Sequence, residues 1–105
     1  MFTFTIPNGA ALSESLEVSG DYVLHIQMPD AWTAANLTFL SSADGIRYEN
    51  IYKEDGTEYT VTAAADRYIT NLPNLSGIKF LQIRSGTSGT PVNQGGIRTI
   101  LVHVQ

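Results

Sequence analysis

Apolar and polar residues alternate with period two along most of this chain. Phe2, Phe4 and Ile6 point one way and Thr3 and Thr5 the other, as in a half-buried strand, and Pro7-Asn8-Gly9 supplies a turn. Leu16-Glu17-Val18 resumes the alternation until Ser19-Gly20-Asp21 breaks it. The strongest run is Tyr22 to Met28, with Tyr22, Leu24, Ile26 and Met28 on one face and Val23, His25 and Gln27 on the other; Pro29, which has no N–H to donate, ends it. Leu37 to Leu40 is again a strand. Asp44-Gly45 reads as a tight hairpin turn with Ile46 to Tyr52 as its return strand, and Asp55-Gly56 repeats the signal before Thr57 to Thr62, which makes a meander.

Ala10 to Glu14 and Asp30 to Ala35 are each compatible with one helical turn, the second capped by Asp30. Tyr68-Ile-Thr is a short strand, and Leu72 to Gly77 a loop. Ile78 to Arg84 carries apolar residues on both faces, which predicts a central strand covered on both sides with Phe80 in the core. Ser85 to Gln94, rich in glycine and small polar residues, forms a loop long enough to be functional or clamped. Ile97 to Val104 closes the chain with Ile100, Val102 and Val104 on one face, and matches the first strand well enough to place the two termini side by side in one sheet. Seven to nine short strands at this spacing predict an all-β, antiparallel β-sandwich of jelly-roll type, a single domain over residues 1–105.

Composition narrows the function classes. A chain of 105 residues, 43% hydrophobic and 15% charged, is too apolar to be disordered and lacks the run of ~20 apolar residues that a spanning helix needs. Its net charge is −4 and its six basic residues are scattered singly, which argues against nucleic acid and against an anionic membrane surface as partners. There is no cysteine, hence no disulfide and no thiolate metal site. The N-terminus lacks the basic and apolar regions of a secretory signal, so the expectation is synthesis and assembly in a cytoplasm; on that view the acceptor patterns at Asn36 and Asn74 are coincidental.

Candidate chemistry is sparse. His25 and His103 both sit inside alternating strands, and no nucleophile elbow accompanies them. Asp21, Asp30, Asp44, Asp55 and Asp66 occupy turns or breaks, where aspartate favours the local backbone for its own sake. No spacing matches a zinc or calcium pattern, so no catalytic residue, metal or cofactor is expected. Gly86-Thr-Ser-Gly89-Thr resembles a phosphate cradle but lacks the lysine and the following helix. Trp32, after Pro29, reads as a lid on the core, with a sugar-stacking platform as the second reading. Arg84 ends the buried strand, where its planar fork suits loop carbonyls or a carboxylate.

The hairpin Leu37-Thr-Phe-Leu-Ser-Ser-Ala-Asp44-Gly45-Ile-Arg-Tyr48 resembles that of discoidin and galactose-binding-like jelly rolls. Met28-Pro-Asp-Ala-Trp32, the same hairpin, and Phe80-Leu-Gln-Ile-Arg84-Ser-Gly86 through Pro91-Val-Asn-Gln94 together resemble a group of small proteins encoded among the structural genes of tailed bacteriophages. That resemblance implies a non-enzymatic virion component, a capsid decoration (cement) protein or the base of a head fibre. It implies the major capsid protein as partner, self-association as a dimer or trimer, and a place on the capsid surface after assembly in the host cytoplasm. Arg84, Thr87, Pro91, Asn93 and Gln94 are then the expected interaction residues. The alternative is a carbohydrate-binding module of a fibre or tail, with Trp32 as the stacking residue.

Overall fold

The structure, a computed structural model, describes residues 1–19, 23–70, 72, 75 and 77–104. Asp21, Tyr22 and the acceptor site at Asn74 lie outside the described residues. The described residues form eight strands and no helix: β1 Phe2–Ile6, β2 Leu16–Glu17, β3 Val23–Gln27, β4 Leu37–Ser42, β5 Glu49–Asn50, β6 Tyr68–Thr70, β7 Phe80–Ser85 and β8 Arg98–Val104.

They make two four-stranded antiparallel sheets, ordered β1-β8-β3-β6 and β2-β7-β4-β5, a β-sandwich. The first and last strands pair along their length, from Phe2 opposite Val102 to Ile6 opposite Arg98, as their matching alternation predicts. Strands 1 and 8, 2 and 7, 3 and 6, and 4 and 5 are all hydrogen-bonded partners.

Alternate side chains of each sheet meet in the middle. Phe4, Ile6, Ile26, Ile100 and Val102 from one layer and Leu37, Phe39, Leu81 and Ile83 from the other are fully buried. Burying a side chain of this size is worth about 1.5–3 kcal/mol, which is why the period-two pattern fixes the layer each strand joins.

Several local expectations need correction. Asp44-Gly45 does not close a two-residue hairpin, because the Asp44 carboxylate accepts the N–H groups of Ile46 and Arg47 at 2.8 and 3.0 Å and holds a longer loop over 43–48. The return strand therefore shrinks to Glu49–Asn50. Thr57 to Thr62 makes only isolated bridges, Tyr52 to Glu58 and Leu37 to Val61. The possible helical turns at 10–14 and 30–35 are both irregular chain.

β7 is central, lying between β2 and β4, but only one of its faces enters the core. Leu81 and Ile83 are fully buried, whereas Phe80 is half-buried on the outside, its ring lying against Gly45. Tyr48 and Ser15, next to the two opposite edge strands of that sheet, share a hydroxyl–hydroxyl hydrogen bond. The 43–48 loop thus folds back over the outer face and covers part of it.

Candidate functional site

Strand direction alternates, so the connections β1–β2, β3–β4, β5–β6 and β7–β8 all emerge at one end of the sandwich. Hydrogen bonds join these four loops to one another. Gly9 N–H donates to the Gln94 carbonyl (2.8 Å), Gly86 N–H to the Asn36 carbonyl (2.7 Å) and Ala63 N–H to Asn36 Oδ1 (3.3 Å).

The β7–β8 loop is held at three points. At its start, Gly86 adopts φ +87°, and a Cβ there would lie 2.5 Å from the Thr90 carbonyl oxygen and 2.8 Å from the Val92 nitrogen. Only glycine fits this crossing. The Gly86 carbonyl accepts the Thr38 hydroxyl at 2.7 Å, and Val92 N–H returns to the Ser85 carbonyl at 2.9 Å.

Arg84 and Glu58 make the second point. Arg84 Nη2 donates to Glu58 Oε2 at 2.8 Å and its Nε to Thr38 Oγ1 at 3.0 Å, with both charged side chains largely buried. Glu58 also accepts Ser88 N–H at 3.1 Å, so the loop that resembles a phosphate cradle gives this N–H to the protein's own carboxylate.

Gln94, 1% exposed, makes the third. Its amide nitrogen donates to the Thr33 carbonyl (3.0 Å) and to Ser85 Oγ (2.7 Å), while its amide oxygen accepts Thr33 N–H (2.8 Å) and Arg98 Nε (3.1 Å). All four positions of the amide are filled, and β7, β8 and the β3–β4 loop are pinned to one side chain.

Of the five expected interaction residues, Arg84 lies near the end of β7 and the other four on the β7–β8 loop, and they divide into two groups. Arg84 and Gln94 are buried and act from behind, while Pro91 and Asn93 are exposed and Thr87 is half-buried. Ile97 on the same connection is 71% exposed. Trp32 is at this end too, half-buried against the core, with its indole N–H donated to the Ala35 carbonyl at 3.0 Å. Glu58 and Thr33 escaped the sequence reading, since a lone carboxylate or hydroxyl gives no signal until the fold brings its partner to it.

The remaining candidates are dispersed. His25 and His103 are register partners on the outer face of the first sheet, each beside the Tyr68 ring at 5.4–5.5 Å between centroids. One ring nitrogen of each, His25 Nδ1 and His103 Nε2, is buried without a hydrogen-bond partner. Asp44 and Asp55 serve their own turns: N–H donation from Ile46 and Arg47 lowers the Asp44 pKa, and the Thr57 hydroxyl and N–H lower that of Asp55. A shallow depression of about 400 Å³ beside Asp44, Arg47 and Glu49 opens at the opposite end of the sandwich. Among the described residues, no three His, Asp or Glu side chains converge to hold a metal ion.

Comparisons of the chain with protein-family models, with curated proteins and with solved structures find no match.

Proposed function

We propose that this chain is a non-enzymatic structural protein of a tailed-bacteriophage virion, a capsid decoration or cement protein that binds capsid subunits and self-associates. The observation that carries this reading is the end surface formed by four loops tied together through Gly86, Arg84–Glu58 and Gln94. A surface fixed before binding loses little conformational entropy when it docks, which suits a protein that clamps a preformed shell. Many such modest contacts on one particle then add through multivalency.

We read the strand order as jelly-roll winding, an architecture recurrent in viral capsid and lectin domains. Fold alone assigns no function, and the resemblance in sequence is what points to the virion. In this reading the major capsid protein is the partner, the chain is a dimer or trimer on the capsid surface, and Pro91, Asn93 and Thr87 face outward from the loop that Arg84 and Gln94 brace. Antibody labelling of purified particles tests it: label on the heads is expected, and particles free of the protein would refute it.

The alternative, a carbohydrate-binding module, is favoured by the position of Trp32 at the same loop end. Its test is glycan binding that Trp32→Ala abolishes while the fold survives.

A further inference from the structure

β1 is the longest edge strand among the described residues, with five residues against three in β6 and two each in β2 and β5. In an antiparallel ladder the backbone groups of alternate residues turn away from the partner. Thr5 N–H is one of these, since it donates to Glu14 Oε1 at 2.8 Å and not to β8. Thr3, two residues away, therefore also turns its N–H and C=O to the open edge.

Glu14 belongs to the other layer. It lies between Leu12, which bridges to Arg84, and Leu16, which pairs with Leu81, so its chain runs along the edge of the second sheet. Its exposed carboxylate crosses from that edge to the edge of the first sheet.

We propose that the β1 edge is a strand-pairing surface for a second copy of this chain, held closed by Glu14. Two copies joined β1 to β1 about a two-fold axis would continue the sheet across the axis, with threonines opposing threonines on one face. Glu14 prevents this in two ways. It occupies the Thr5 donor that the ladder needs, and the axis would bring two Glu14 carboxylates together in chains already carrying a net charge of −4 each. Charges set on an edge strand are a recognised barrier to such pairing. The inference is independent of any role in a virion.

Sedimentation velocity over a concentration series tests it. Glu14→Ala should raise self-association at least tenfold over the parent chain, with Glu14→Ser run in parallel in case one replacement fails to fold. Thr3→Pro in the same background should abolish the gain, because it removes an edge donor that β8 does not use. Unchanged association in the folded Glu14 variants would overturn the proposal. So would a gain that survives Thr3→Pro, or a parent chain that Thr3→Pro itself dissociates.

Discussion

Arg84 Nη2 lies 2.8 Å from Glu58 Oε2, an ion pair formed across 26 residues of chain and largely shielded from water. Its value is positional, because Glu58 also holds the Ser88 N–H and Arg84 also holds Thr38, so the pair joins the β5–β6 loop to the β7–β8 loop.

Removing one partner leaves an uncompensated charge in a nearly dry site. Glu58→Ala should destabilise the fold by about 3 kcal/mol, the low end for fully buried pairs given the residual exposure. Denaturant unfolding measures this, and hydrogen exchange at Ser88 should accelerate. The double replacement Glu58→Gln with Arg84→Met should recover much of the loss.

Gly86→Ala combines a positive φ with backbone atoms 2.5 and 2.8 Å from the new Cβ. Neither the Thr90 carbonyl nor the Val92 nitrogen belongs to a side chain that can swing aside. A loss of about 2–4 kcal/mol is expected, whereas Gly89→Ala, with open space around it, should fall within about 0.5–1 kcal/mol of the parent.

Tyr59 packs edge-on against Phe39 with centroids 5.8 Å apart, and burial raises its phenol pKa above 10.0. The fold thus favours the neutral phenol. That contribution is present in full below the unfolded tyrosine value of about 10 and is lost as pH rises through the folded value. Urea midpoints measured from pH 8 to 11 should fall at the alkaline end, and Tyr59→Phe should flatten the fall.

Ile83→Ala should cost about 2–5 kcal/mol, as expected for a fully buried aliphatic. Phe80→Ala should cost about 1–3 kcal/mol, less than the 3–5 of a core phenylalanine, because its ring is only half-buried.

The contrast between those two residues marks how far the sequence could be read. Period-two alternation placed β1 beside β8 and put Ile26, Ile100 and Val102 inside, because burial on one face dictates side-chain parity. It misplaced Phe80, since a loop folding over an outer face creates apolar cover that looks like core in one dimension. Asp44-Gly45 failed as a tight turn for a related reason: a carboxylate that captures two N–H groups beyond it stabilises a longer loop. At the loop end, Arg84 was legible as a fork suited to loop carbonyls or a carboxylate, and it takes the Glu58 carboxylate and the Thr38 hydroxyl. Glu58, Thr33 and the four-bond role of Gln94 were not, because each depends on a partner remote in sequence.

In the proposed reading, the exposed part of the β7–β8 loop meets a capsid. Co-sedimentation of the purified chain with heads assembled in its absence measures this most directly. Saturable binding at a fixed ratio to capsid subunits is expected, weakened at least tenfold by Pro91→Glu with Asn93→Glu at unchanged thermal stability. A folded chain that stays in the supernatant at every concentration, or binds equally well with both residues replaced, would contradict it.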